Sequence, residues 1–187
     1  MKQIILKAPG GLDRLVATTA EDPGMPGPGD IRVRIRANSL NYHDLAVVSG
    51  WLPSQDGRVP MSDGAGFVEA VGEGVTEFAV GDMVVSCFFP EWQDGPPLTD
   101  DFAATPGDGI DGFAQEIVVR PAGWFTPAPR NLDCAEAACL TTAGVTAWRA
   151  LMEQHDSLSG KTVLLIGSGG VSLFGLQLAK AAGAKVI

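Results

Sequence analysis

Residues 167–172 read GSGGVS and follow directly on the apolar run TVLLI at 162–166. A glycine loop between a strand and a helix suits an anionic ligand for separable reasons. Gly167 permits a tight turn out of the strand, and Gly169 lacks the Cβ that would hold a pyrophosphate away from the backbone. The amides at the helix start, from Ser168 through Gly170, Val171 and Ser172, donate to phosphate oxygens with the help of the helix dipole. Ser172 stands where the dinucleotide fingerprint carries its third glycine, which serves close helix-to-strand packing. Serine is small enough to take that place with slightly wider spacing. No GK[ST] follows, which excludes a Walker loop, and no GxSxG surrounds Ser168, which excludes a hydrolase nucleophile elbow. Two readings stay open: a dinucleotide cradle, or a glycine turn in a Rossmann-like fold that binds nothing.

The elements around the loop have the periods a cradle needs. TVLLI lacks polar alternation, as a strand buried on both faces requires. An apolar helix is predicted over 171–182, with Gly183 as its stop and AKVI as a second strand, so the segment reads as a βαβ start. Upstream, Asp133 and Glu136 have capping-box spacing for a largely buried helix running to His155. His155 in its last turn is read as a residue favoured by the dipole, not as a catalytic one.

Residues 2 to about 120 alternate short apolar runs with Gly and Pro, the pattern of a strand-rich barrel or sandwich. In IRVRIRA, Ile31, Val33 and Ile35 share one face and Arg32, Arg34 and Arg36 the other. The arginines are read as a solvated strand face rather than an anion-binding patch. Strands are predicted at 67–71 and 83–88, flanking Gly72, Gly74 and Gly81 as turn glycines of positive φ. Residues 90–112, rich in Pro, Gly and Asp, are predicted to form a long surface excursion, and FAQEIVV a returning strand.

Composition narrows the function classes. Thirteen Lys and Arg against 22 Asp and Glu give a formal charge of −9, so a phosphate backbone would meet net repulsion and nucleic acid is excluded as a partner. Three cysteines without a CxxC pair point to a reducing, cytoplasmic setting. The start MKQIILKAPGG carries no signal-peptide core, and no run of about eighteen apolar residues exists, so no targeting or membrane segment is expected.

Five stretches occur in a telling order: PGPGDIRVRIRANSLNYHDLAVVSG, SDGAGFVEAVGEGVTEFAVGDMVV, GFAQEIVV, LTTAGVTAW and GSGGVSLFGLQLAKAAGAKVI. With them the chain resembles the medium-chain dehydrogenase/reductase superfamily, the alcohol dehydrogenases and quinone oxidoreductases, over essentially its whole length. The resemblance implies an α/β protein. A GroES-like, strand-rich catalytic domain is expected over residues 1–125. Residues 126–187 are expected to hold a linking helix and the incomplete start of a Rossmann domain that binds NAD or NADP. Members are substantially longer and commonly dimers or tetramers, so a homo-oligomer is implied for the complete protein. The residue that separates NAD from NADP follows the second Rossmann strand, beyond Ile187.

Zinc-dependent members carry Cys, His and Cys at the positions that here are Asn41, Ser62 and Thr142. An amide and two hydroxyls are not the donors catalytic zinc prefers, and four closely spaced cysteines of a structural zinc are also lacking, so a zinc-free member is expected. Without a Lewis acid, charge developing on the hydride acceptor must be met by donors. The resemblance places NYHD against the nicotinamide and makes Tyr42 and His43 the candidate donors. Asn41 would orient substrate or the nicotinamide amide, and Asp44 would have a structural, hydrogen-bonding role. Set against these roles, Tyr42 can be an aromatic wedge and His43 a surface histidine. Many zinc-free relatives have a tyrosine soon after this motif; here Trp51 stands there and has no phenolic proton to give. By resemblance Thr142 and Thr146 line the nicotinamide side of the cleft; as plain sequence they are residues that pack or bond back to their own helix. Trp92 is a candidate lid. The implied activity is hydride transfer between NAD(P)H and a small carbonyl, quinone or activated alkene. The alternatives are a zinc-type alcohol dehydrogenase with displaced ligands and a non-enzymatic nicotinamide-binding protein.

Overall fold

The computed structural model describes residues 1–96 and 102–187. The chain forms two compact units, Met1–Ala138 and Cys139–Ile187.

The first unit is built on antiparallel strands. A ribbon pairs β1 (Lys2–Leu6) with β2 (Leu15–Thr19). A five-stranded sheet follows, in the order β6-β3-β4-β5-β7: β3 (Asp30–Ser39), β4 (Asp63–Val71), β5 (Met83–Ser86), β6 (Ile117–Pro121) and β7 (Phe125–Pro127). Period-two patterning in β3 works as expected, since Ile31 and Val33 are completely buried among Val68, Phe78, Val84, Phe113 and Val118. Each such aliphatic side chain contributes about 1.5–3 kcal/mol on burial.

On the other face Arg32 and Arg34 are paired. Arg32 donates to Glu69 at 3.1 Å and to Asp22 at 2.8 Å, and Arg34 donates to the other Glu69 oxygen. The Arg32 guanidinium, with the Gly24 amide, holds the Asp22 carboxyl far below the usual carboxylate range.

Three expectations need correction in this unit. β4 begins at Asp63, not at residue 67, because two glycines let it pack where side chains could not: a Cβ on Gly66 would lie 2.1 Å from the Arg34 carbonyl oxygen. Gly74 and Gly81 do turn with positive φ, whereas Gly72 does not; it is a close-approach glycine whose Cβ would meet the Gly27 oxygen at 1.8 Å. Within 90–112 the excursion is only partly a surface feature. Residues 97–101 lie outside the described residues, but Thr105, Pro106 and Gly107 are buried, and Gly107 packs against Met61.

Two helices complete the unit. α1 (Tyr42–Val48) follows β3, and α2 (Cys134–Ala138) is capped as its sequence predicts. Glu136 N–H donates to Asp133 Oδ1 at 2.9 Å, and Asp133 N–H donates to Glu136 Oε2 at 3.0 Å.

The second unit opens with a π-turn at Leu140–Gly144, then α3 (Val145–Trp148) and another π-turn at Arg149–Glu153. One uninterrupted helix across 134–155 is therefore not what forms, and His155 lies past the last turn. The Thr146 hydroxyl donates to the Thr142 carbonyl at 2.7 Å, a back-bond that competes with regular helix pairing. β8 (Thr162–Val163), α4 (Gly170–Ala181) and β9 (Lys185–Val186) form a βαβ unit with parallel pairing of Val163 to Val186. The two-faced burial expected of TVLLI is not found: Leu164 and Ile166 are 66% and 85% exposed, because α4 covers one face of a two-stranded sheet.

Candidate functional site

β3 delivers Asn41 to the start of α1, and a buried carboxylate fixes the junction. Asp44, 3% exposed, accepts the Asn41 backbone N–H on Oδ2 at 2.8 Å and the Ser62 backbone N–H on Oδ1 at 2.8 Å. One side chain thus caps α1 and ties it to the segment that leads into β4, the structural role foreseen for it. Asn41 Nδ2 donates to Asp63 Oδ2 at 2.9 Å and lies 3.4 Å from Ser62 Oγ. Both Ser62 and Asp63 are fully buried. The amide nitrogen is thereby committed to the protein, and the side chain also faces the Asp44 backbone N–H in a capping box with Asp44, so the protein itself holds the Asn41 amide in place. Sequence reading does not single out Asp63, because its bond to Asn41 spans 22 positions; the carboxylate in SDGAG is the one signal it offers.

Tyr42 and His43 are adjacent on α1 and so point in different directions. Tyr42 is 74% exposed beside Trp51, with ring centroids 6.1 Å apart, so it is not a buried wedge. With Asn41, Leu40, Leu45 and Met61 it lines an apolar cavity of about 620 Å³. His43 is half-buried, with its ring centroid 5.2 Å from that of Phe88 in an edge-to-face arrangement and Asp108 Oδ2 3.9 Å from Nε2. Trp92, the candidate lid, donates its indole N–H to the Gly95 carbonyl at 2.9 Å.

Met61 has φ +80, the one non-glycine residue with positive φ among the described residues. Such a conformation costs about 1–3 kcal/mol and persists where its surroundings impose it. Here the Phe113 N–H donates to the Met61 carbonyl at 2.8 Å, and Gly107 packs so closely that a Cβ there would sit 2.9 Å from the Met61 nitrogen.

In the second unit Gly167 adopts φ +87, as a turn out of the strand demands. Gly169 is the N-cap of α4 with φ −77 and ψ 174, a conformation open to any residue, and a Cβ there would meet no protein atom within 4 Å. The fold itself does not require glycine at 169, which fits a ligand approaching the backbone. Ser168, Gly170 and Val171 complete the loop, and Ser172 Oγ donates to the Ile166 carbonyl at 3.0 Å, joining its two ends. The first turn of α4 thus presents amides in a form that suits a pyrophosphate. Thr142 and Thr146 are joined by the back-bond already described.

For zinc the donor set does not fit. Asn41 and Ser62 are tied to Asp63 and to each other, Thr142 brings only a hydroxyl, and among the described residues no three His, Cys, Asp or Glu side chains gather to hold a metal. No disulfide joins the three cysteines, and burial pushes Cys87 and Cys134 upward in pKa. No helix among the described residues is long and apolar enough to cross a membrane.

The chain is 45% identical over 182 residues to a zinc-type alcohol dehydrogenase-like protein of Schizosaccharomyces pombe, covering 94% of this chain and 52% of that protein. Among solved structures it resembles one from Sinorhizobium meliloti 1021, described as a candidate alcohol dehydrogenase. That match has TM-score 0.86 and 43% identity, covering 99% of this chain and 55% of the other. It also resembles an NAD-dependent alcohol dehydrogenase, with TM-score 0.84 and 33% identity, covering 100% and 57%. The chain spans about half the length of the relatives it matches. Residues 27–130, which carry the strands and the Asn41–Asp44 junction, match the alcohol dehydrogenase GroES-like domain. A match over more than half of the chain, with the same likeness continuing through the glycine loop, means that the chain belongs to the alcohol dehydrogenase GroES-like family of the medium-chain dehydrogenase/reductase superfamily.

Proposed function

We propose that this chain is part of an NAD(P)H-dependent oxidoreductase that transfers a hydride between nicotinamide and a small carbonyl, quinone or activated alkene without catalytic zinc. The observation that carries the reading is the committed state of Asn41: its amide nitrogen is bonded to the buried Asp63 where zinc-dependent relatives have a thiolate. The fully buried Ser62 beside it has no imidazole to offer.

Residues 1–125 act as the catalytic domain and residues 126–187 as the start of the cofactor domain. The loop from Gly167 to Ser172 holds the pyrophosphate through its amides, and Thr142 and Thr146 face the nicotinamide side. The bound nicotinamide supplies or accepts the hydride. The chain's own residues manage the accompanying charge. His43 protonates an oxyanion that develops on the substrate, and Tyr42 donates a hydrogen bond through its exposed hydroxyl. Asn41, held by Asp63 and the start of α1, orients the substrate or the nicotinamide amide from a fixed position. Cysteines without disulfides suit a cytoplasmic setting, and the complete protein is a homo-oligomer acting on a small molecule.

The test is NADH and NADPH binding by quenching of tryptophan fluorescence, with the 187-residue chain beside a version completed to the length of its relatives. Cofactor oxidation by a panel of quinones, aldehydes and enones then follows, with zinc measured in the same preparation. Binding and turnover at substoichiometric zinc are expected. Failure of the completed protein to bind either cofactor at millimolar concentration refutes the reading, as does turnover that requires one zinc per chain.

A further inference from the structure

His43 Nε2 is shielded from solvent and has no hydrogen-bond partner among the described residues. A polar atom in that state is costly unless something satisfies it. Among the described residues the nearest carboxylate oxygen is Asp108 Oδ2 at 3.9 Å, about 1 Å outside hydrogen-bond range and too close for an intervening water. Asp44, the carboxylate on the same helix, is already spent on two backbone amides.

Asp108 sits on a braced turn. Asp108 N–H donates to the Thr105 carbonyl at 3.3 Å, and Gly107 N–H donates to Ile110 at 2.9 Å. Asp111 Oδ1 accepts the Val59 N–H at 3.1 Å and Arg58 Nη1 at 3.3 Å, while Arg58 Nη2 donates to the Gly109 carbonyl at 3.1 Å. Gly112 N–H donates to Val59 at 2.7 Å. The turn is bonded after Asp108 to the segment that Asp44 also holds, and before it Gly107 packs against Met61 of that segment, so the carboxylate and the imidazole share one scaffold. Phe88 limits the ring from another side.

We propose that Asp108 is a positioning residue for His43, accepting the Nε2–H and fixing the imidazole ring; this rests on the acid role proposed for His43. With Nε2–H committed to Asp108, proton exchange falls to Nδ1. In the imidazolium state Nδ1–H passes its proton to the substrate oxyanion, and the neutral Nε2–H imidazole remains. The arrangement works as a carboxylate does behind a catalytic or metal-bound histidine.

The chain has two histidines, so His155→Gln leaves His43 alone in the imidazole region of a ¹H–¹⁵N spectrum. One slowly exchanging, downfield Nε2–H resonance is expected near neutral pH. Asp108→Ala abolishes it, Asp108→Asn moves it upfield, and Asp108→Glu restores it, with the backbone spectrum reporting that each variant is folded. In the completed enzyme, Asp108→Ala lowers kcat about 10-fold to 100-fold with KM changed less than about twofold, and Asp108→Glu recovers most of the loss. A His43 resonance that ignores all three substitutions overturns the pairing, whatever the activity. A resonance that responds as expected in a protein that oxidises no cofactor keeps the pairing and removes the hydride-transfer reading instead.

Discussion

Asp44 offers a direct measure of how the first unit holds its site. Its two oxygens accept backbone N–H groups from Asn41 and Ser62, both at 2.8 Å, and the side chain is 3% exposed. Hydrogen bonds to a charged acceptor contribute about 1.5–3 kcal/mol each, and a buried donor left alone costs about 1–3 kcal/mol. Asp44→Ala removes both acceptors. The Asn41 amide, at the half-buried end of α1, recovers part of the loss from water, whereas the Ser62 amide is sealed in. A destabilisation of about 3–5 kcal/mol follows, a large share of a domain's total stability. Asp44→Asn keeps one acceptor oxygen and turns an NH₂ toward the other donor, so it is expected to cost about 2–3 kcal/mol. Urea denaturation followed by far-UV circular dichroism gives both values; in a thermal scan the alanine variant melts about 10 °C lower or more. An alanine variant within about 0.5 kcal/mol of the parent would refute the assignment of Asp44 as the clamp between α1 and β4.

The remaining predictions separate roles that neighbouring residues play. Gly72→Ala forces a Cβ to within 1.8 Å of the Gly27 oxygen and is expected to cost about 3 kcal/mol or more, while Gly74→Ala, with φ +83 and open space, costs about 1 kcal/mol; denaturant midpoints rank them. Gly169→Ala meets no protein atom, so its melting temperature stays within about 1 °C of the parent while NADPH binding by the completed protein weakens at least about tenfold. Equal losses of stability and binding would mean that position 169 serves the fold. Asp22→Asn removes a carboxylate whose pKa is depressed in the folded state, so the parent's advantage exists above pH about 4 and is lost as pH falls through the lower folded value. Because the pair is exposed the advantage is small, and raising the salt concentration is expected to shrink it further.

Much of the local structure was legible because its causes are local. The Asp133–Glu136 capping box, the alternation in β3 and the turn at Gly167 each depend on residues within a few positions of one another. Asp44 was read correctly for the same reason, since half of its clamp reaches only to Asn41. Leu164 and Ile166 stay exposed because an apolar run reports what a strand can bury, and here, among the described residues, only one parallel strand lies beside it. Gly72 was misjudged because steric demand from Gly27 looks the same in sequence as a demand for positive φ.

By itself the sequence determined the order of elements and the glycine loop with its serine in third place. These are properties of residue type and spacing, and no packing is needed to state them. Only the tertiary structure decided that Asn41 answers to Asp63, that Tyr42 faces out while His43 faces Phe88, and that a braced turn brings Asp108 to 3.9 Å from the imidazole. Those relations depend on strand register and on backbone passing close to backbone at Met61, Gly107 and Gly112, where short-range patterning carries no information about which distant segment will arrive.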